Sequence, residues 1–274
     1  MKLKALASAF LLSIVWTLPA AADTSLELLR GWNYNKDFNG NERRTVFTIK
    51  TFQPWEYGNV FLYYDITGPF NAPDAKVAPN EKGGFFGGTG FNFSTRKIGQ
   101  KIAGQQWDWG FLDDVYLHYE MEHVSKFGAL HYYGLQYGLK VPYFDFVTAT
   151  SYIRDDWSLK GIDLQLGGAW QLVVPVGNVT DIFFAGFVQW GLFGEGKGSF
   201  TIGPNAEGPK YTSIPAVGRP FLTAQPQLAL DIGKLAHIGT RHLYAGVEYQ
   251  IAINRYLQRG IDENLAQLLL KWNI

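Results

Sequence analysis

The chain has no cysteine among its 274 residues. That excludes a disulfide framework, a thiolate metal site and a cysteine nucleophile. It has no surplus of either charge, since 24 Lys and Arg balance 24 Asp and Glu, so binding nucleic acid through bulk electrostatics is excluded as well. Charged residues are scarce at 18%, below the roughly 25% usual in soluble domains. Past the N-terminus no apolar run is long enough for a membrane helix. The sequence is rich instead in aromatic residues (16%) and in glycine (31 residues). A chain with so much apolar and aromatic surface to bury is not intrinsically disordered.

Residues 1–22 read as a secretory leader. Lys2 and Lys4 form a charged start, Ala5 to Leu18 an apolar stretch, and Pro19-Ala20-Ala21-Ala22 a small-residue cleavage site. The alternative, an uncleaved anchor, fits less well because the apolar stretch is short. The mature chain, 23–274, is then an exported single domain.

The mature chain carries a period of two. Leu164, Leu166, Gly168, Trp170, Leu172 and Val174 share one parity, opposite Asp163, Gln165, Gly167, Ala169 and Gln171. Leu243, Ala245, Val247, Tyr249, Ile251 and Ile253 alternate in the same way with Tyr244, Gly246, Glu248, Gln250 and Asn254. Alternate side chains of a strand point to opposite faces, and a helical period of 3.6 does not fit these segments.

About twelve such segments occur, near 24–33, 43–53, 58–67, 88–97, 110–124, 129–141, 145–154, 161–174, 180–193, 220–232, 241–254 and 264–274. The links between them sort by parity. Gln53–Tyr57, Ile98–Trp109, Pro142–Phe144, Pro175–Val179 and Gly233–Thr240 form one set, mostly short turns. The other set includes the long Gly68–Gly87 and Gly194–Arg219, with polar links at Phe38–Glu42, Asp155–Lys160 and Arg255–Glu263. An even number of strands with short turns at one end and longer loops at the other predicts a transmembrane antiparallel β-barrel with both termini periplasmic. A soluble β-sandwich is the competitor, but its outer face should carry Lys and Glu, and here the apolar face is the more continuous one. Trp32, Trp55, Tyr57, Trp107, Trp109, Tyr143, Trp157, Trp170, Trp190 and Trp272 gather near segment ends, as aromatic girdles do at membrane interfaces.

If the apolar parity meets lipid, the other lines a lumen. That places Glu27, Lys50, Asp65, Arg96, Asp114, His118, Glu120, Glu122, Lys140, Arg154, Asp163, Gln165, Gln227, Asp231, Glu248, Gln250, Gln267 and Lys271 inside, with Phe61, Tyr63, Tyr116, Tyr152, Phe183, Phe187 and Tyr244. Signs are mixed, so no strong ion selectivity is expected. Aromatic faces set among hydrogen-bonding groups suit a flat, polar-edged solute such as a nucleoside, because a base stacks on a ring for about 1–3 kcal/mol. The candidate solute contacts are Phe61, Tyr63, Asp65, Tyr116, Glu120, Tyr152, Phe183, Phe187, Gln227 and Glu248. A plainer reading also stands: these side chains fill a narrow lumen and pair with one another.

Enzymatic readings find little support. A phospholipase or protease on this scaffold needs a nucleophile beside a base. His118 and His123 have opposite parity, and so do the neighbours Asp113 and Asp114. Gly83–Gly90 lacks the Gly-Lys-Ser/Thr ending of a phosphate loop, and no H-E-x-x-H, G-x-S-x-G or EF-hand motif occurs. No catalytic residue, metal site or cofactor is expected.

Several stretches resemble the Tsx-like nucleoside-specific channel family, which includes the OmpK-type outer-membrane proteins. The fullest is Leu243-Tyr-Ala-Gly-Val-Glu-Tyr-Gln250 with Asn254-Arg-Tyr, Asp262-Glu-Asn264 and Gln267-Leu-Leu-Leu-Lys-Trp272. Trp55-Glu-Tyr-Gly58, Phe61-Leu-Tyr-Tyr-Asp65, Tyr133-Gly-Leu-Gln-Tyr-Gly138, Val141-Pro142 and Gln225-Pro-Gln-Leu-Ala-Leu-Asp231 are similar too. The resemblance implies a twelve-stranded outer-membrane barrel with a narrow lumen that passes nucleosides and, in some members, a surface used by phage. Its implied partners are outer-membrane lipid, small polar solutes and the barrel-insertion machinery. Such barrels usually end on an aromatic residue, whereas this chain ends Lys271-Trp272-Asn273-Ile274. Cleavage after Ala22 predicts a mature N-terminus at Asp23, which intact-mass measurement of the exported protein checks.

Overall fold

A computed structural model describes residues 23–34, 42–69, 85–105, 107–108, 110–124, 128–155, 162–193, 199–200, 214–215, 220–254 and 262–274. Residues 1–22, read above as a leader, lie outside them, as do Trp109, Trp157 and most of the two long loops.

The strands are β1 (Asp23–Tyr34), β2 (Glu42–Trp55), β3 (Gly58–Thr67), β4 (Phe85–Ser94), β5 (Leu112–Val124), β6 (Gly128–Leu139), β7 (Phe146–Asp155), β8 (Ile162–Val176) and β9 (Thr180–Gly191). Two short pieces, β10 (Ser199–Phe200) and β11 (Ile214–Pro215), pair with each other beyond β9. Then come β12 (Phe221–Ala224), β13 (Gln227–Asp231), β14 (Leu243–Ile253) and β15 (Glu263–Asn273).

The segment expected at 220–232 is thus split at Gln225-Pro226, because Pro226 has no N–H for the ladder. Its register is unbroken, with Ala224 opposite Val188 and Gln227 opposite Ala185. Counting β12 and β13 as one wall element, twelve antiparallel strands each pair with both neighbours, and β1 closes on β15 from Ser25↔Asn273 to Gly31↔Gln267. Closure leaves no wall strand with an open edge, the condition for crossing hydrocarbon with strands. No helix among the described residues is long and apolar enough to cross a membrane.

The two parities part as the alternation predicts. Leu166, Leu228, Val247, Leu268 and Leu270 are exposed on the outside (Leu268 is 56% exposed), while Glu27, Asp163, Gln165, Asp231 and Glu248 on the other face are buried. Aromatic rings stand at both ends of the outer wall. Trp55 packs edge-on to Tyr57 and Phe93 at the short-turn end, and Trp32 and Trp190 are exposed towards the other. Asp23 and Ile274 share the short-turn end, where the Ile274 N–H donates to Thr24 O at 3.0 Å.

One connection is not a turn. Thr95–Ala103 forms a helix, α1, in the segment assigned partly to strand and partly to a link. Ser94 starts it, its hydroxyl accepting from Lys97 N at 2.9 Å, and Gly104 ends it at φ 64°. Lys101 pairs with Glu56 and lies 4.7 Å from the Tyr57 ring, so the helix rests on the β2–β3 turn. A four-residue helix, α2 (Ile232–Leu235), follows β13, with Asp231 capping Lys234 N.

Spin labels at Leu166, Val188 and Val247 are expected to respond to a lipid-borne relaxation agent, and labels at Gln189 and Glu248 to a water-borne one. The opposite pattern overturns the inside-out reading of the wall.

Candidate functional site

Hydrogen-bonded partners on neighbouring strands share a face, so the register traces the inner wall row by row. Val46, Leu29, Leu269, Gly246, Ala229, Phe183 and Val173 make one continuous inner row over seven strands. Leu29, Val46, Phe183, Ala229, Tyr244 and Leu269 bury one another there. Alternation alone does not expose this apolar row, because leucines occupy both parities of β15.

Polar rows flank it. On one side lie Thr48, Glu27, Lys271, Tyr244 and Asp231; on the other Gly31, Gln267, Glu248 and Gln227. Glu27, 1% exposed, accepts from Lys50 at 2.8 Å, from Lys271 at 2.9 Å and from Gln227 Nε2 at 3.1 Å. The last bond joins β13 to β1 across two intervening strands. Gln227 also donates to Glu248 at 2.7 Å, and Gln267 donates to the other oxygen of Glu248 at 2.9 Å. Lys271 sits 5.3 Å from the Phe183 ring, and Phe183 lies 5.1 Å from Tyr244. Asp65 accepts from Thr48 at 2.6 Å.

A second cluster lines β3 to β7. Tyr63 stacks on Phe61 at 5.7 Å and donates to Glu122 Oε1 at 2.5 Å, two strands away. The intervening residue is Gly88, whose Cβ would stand 2.8 Å from the Tyr63 ring and 2.9 Å from Glu120. Tyr132 donates to the other oxygen of Glu122 at 2.6 Å. Tyr152 reaches over Gly134 in the same way to stack on His118 at 5.3 Å. His118 continues through Asn92 (2.7 Å) to Asn59 (2.7 Å).

Eight of the ten candidate contacts therefore fall into two groups. Phe61, Tyr63, Glu120 and Tyr152 belong to the second cluster, while Asp65, Phe183, Gln227 and Glu248 belong to the first. Tyr116 and Phe187 share the inward parity, and the clusters do not include them. Tyr132, Asn59, Asn92 and Thr48 were missed, although parity alone places each of them inside.

Two expected inward cations are elsewhere. Arg96 stands on α1, paired with the exposed Asp113 at 3.3 Å, because Ser94 ends the strand before it. Lys140 lies past the end of β6, half exposed, and donates to Gly110 O at 2.9 Å. Asp181 and Glu263 join the interior, as does Arg44 by parity with Val46 and Thr48. Among the described residues the inner wall then holds Glu27, Asp65, Glu120, Glu122, Asp163, Glu248 and Glu263 against Arg44, Lys50, Arg154 and Lys271, with Asp114, Asp181 and Asp231 buried towards the short-turn end.

The histidines follow their parities: His118 is buried inside, and His123 stacks on Phe85 at 5.2 Å outside. Among the described residues no group of three or more His, Asp or Glu is arranged to hold a metal ion.

No protein-family model matches the chain, and no curated protein sequence matches it. Solved structures do. The NanC porin aligns over 91% of this chain and 100% of its own at 6% identity, with a TM-score of 0.51. The translocator domain of the autotransporter NalP from Neisseria meningitidis (99% and 96% covered, 10% identity, TM-score 0.34) and OccD1 (OprD) (94% and 96%, 10%, 0.25) also match. What this chain has in common with the NanC porin is the fold, a closed antiparallel barrel of the porin type.

Glu27→Ala leaves two lysines and an amide without their common acceptor. The variant is expected to lose about 3 kcal/mol in urea unfolding from lipid vesicles, the low end for breaking a buried pair because the Lys50 side chain remains one-third exposed. Glu27→Gln, which retains an acceptor oxygen, should lose less.

Proposed function

We propose that the protein is an outer-membrane channel through which nucleosides or similar small polar solutes diffuse passively. The leader exports it, the end bearing the termini and short turns faces the periplasm, and no bond is made or broken in the solute. One observation carries this reading: a closed barrel whose outside is apolar keeps aromatic rings and hydrogen-bonding groups side by side on its inner wall. Tyr63, Phe61, Tyr152 and Phe183 offer flat faces; Gln227, Glu248, Glu120 and Asp65 offer polar edges. The fold in common with a porin and the resemblance of the Leu243–Trp272 run to Tsx-like channels support it. Contacts of this kind suit passage only when each is weak and several follow one another.

A second reading has its own observation. Gln227 bonded to Glu27 and Lys271 set against Phe183 reach across the interior, as they would in a plugged structural barrel whose loops Gly68–Gly87 and Gly194–Arg219 bind partners or serve phage attachment. Those loops lie mostly outside the described residues.

Planar-bilayer recording separates the two. The expected result is a steady conductance blocked reversibly by added nucleosides, with the block weakened about tenfold by Tyr63→Ala or Tyr152→Ala, as the loss of one stacked ring predicts. A conductance that no nucleoside alters removes the nucleoside claim. Absence of any conductance, with attachment lost on loop deletion, favours the plugged barrel.

A further inference from the structure

Among the described residues the cations of the inner wall are outnumbered, and the hydrogen bonds around its carboxylates do not make up the difference. Lys50 and Lys271 converge on a single acceptor, Glu27. Glu248 and Asp65 share the electrostatic neighbourhood of Lys50, so three carboxylates there surround two ammonium groups. Glu248 takes its hydrogen bonds from the neutral amides of Gln227 and Gln267, and Asp65 takes one from a neutral hydroxyl. Neutral donors hold a carboxylate in place without cancelling its charge.

The other cluster repeats the pattern. Glu122 is held by the hydroxyls of Tyr63 and Tyr132. Glu120 is the adjacent inward carboxylate on β5, 3.4 Å from His118. Arg154 is the guanidinium whose charge acts on Glu122, and on β7 it stands directly opposite a further carboxylate, Asp163. Without Lys2 and Lys4 the mature chain holds 22 basic residues against 24 acidic ones, so the imbalance is partly the chain's own and partly a sorting of charge between the inner wall and the rest of the molecule. α1 and the β6 turn contribute to it by carrying Arg96 and Lys140 away from the lumen. A narrow passage with low-dielectric walls of one sign concentrates ions of the opposite sign.

We infer that, contrary to the weak selectivity expected from the mixed signs of the inward parity, the lumen admits cationic and neutral solutes and rejects anionic ones. The inference rests on the channel reading and assigns that channel its charge class. Glu122 and Glu248 set the preference, being inner-wall carboxylates that neutral donors hold in place.

The test is the reversal potential of the full mature chain in planar bilayers under a potassium chloride gradient. Potassium should be favoured over chloride by about tenfold, within the range in which charged clefts concentrate counter-ions. The ratio should shrink at about 1 M salt, where the screening length is near 3 Å. Glu122→Gln and Glu248→Gln, each retaining an acceptor oxygen for its neighbours, should lower the ratio singly and bring it close to one together, their open-channel current attesting assembly. A measurable current with no selectivity, with chloride preferred, or with the ratio unmoved in the double variant overturns the charge assignment and leaves the channel reading standing. Absence of current in the unaltered protein overturns the channel reading, and this inference with it.

Discussion

The β1–β15 ladder is the contact on which every other one depends. Without it both strands would present a row of unpaired N–H and C=O groups, each costing several kcal/mol in hydrocarbon. With it the sheet has no edge, and the side chains are sorted into two populations that no local adjustment can exchange. A slip of one residue anywhere in the wall would turn an entire strand inside out, taking carboxylates to the lipid and leucines to the lumen. The pairing of Glu27 with Lys271 and Thr48 on the inner face, beside Leu28 with Leu270 and Phe47 on the outer one, is what one register buys on both faces at once.

Closure creates a second constraint. Residues forced inward form a column too narrow to leave each polar group to bulk water, so they must satisfy one another. The wall does this with a recurring device, a ring that crosses a glycine to meet a partner two strands away. Tyr63 over Gly88 to Glu122 and Tyr152 over Gly134 to His118 both need a neighbour without a Cβ. Glycine is poor in strands, and its abundance here is explained in part by the room that long inward side chains require. The apolar row from Val46 to Phe183 is the complement: where no polar partner exists, the interior is filled with aliphatic groups and the Phe183 ring.

Most of this order was legible in the sequence. Strand number, the sorting of faces and the closed barrel all follow from a period of two repeated about a dozen times, a signal set by the backbone and indifferent to detail. The candidate site was legible only as a parity. Glu27 and Glu248 could be placed inside, but that Gln227 would bridge them could not, because the bond spans two strands and 200 residues of chain separate its ends. Arg96 and Lys140 were misplaced for a simpler reason. Parity is meaningful only while the strand lasts, and Ser94 stops β4 by capping a helix, just as Leu139 ends β6 one residue before the lysine. The inner apolar row escaped notice because parity puts Leu269 on the face of Gln267 and Lys271 without showing which residues of other strands it meets, and only the register aligns it with Leu29, Val46 and Ala229.

On the proposed channel reading, the bonds that hold the interior together are also those a passing solute would have to displace. A hydrogen bond to a charged group contributes about 1.5–3 kcal/mol net, and Gln227 to Glu27 is one of several that cross the column. An apolar solute would break such bonds and return nothing, leaving buried charges without partners. A solute that carries its own donors replaces each bond as it opens, so the cost at one level is offset at the next. On that reading the exchange would favour solutes rich in N–H and O–H groups over those that offer only acceptors, because the groups left open at each step are carboxylates. Shape, charge and hydrogen-bonding character of the interior thus follow from one circumstance: a wall closed in lipid has to balance its polar groups on the inside, and here it does so with more carboxylates than cations.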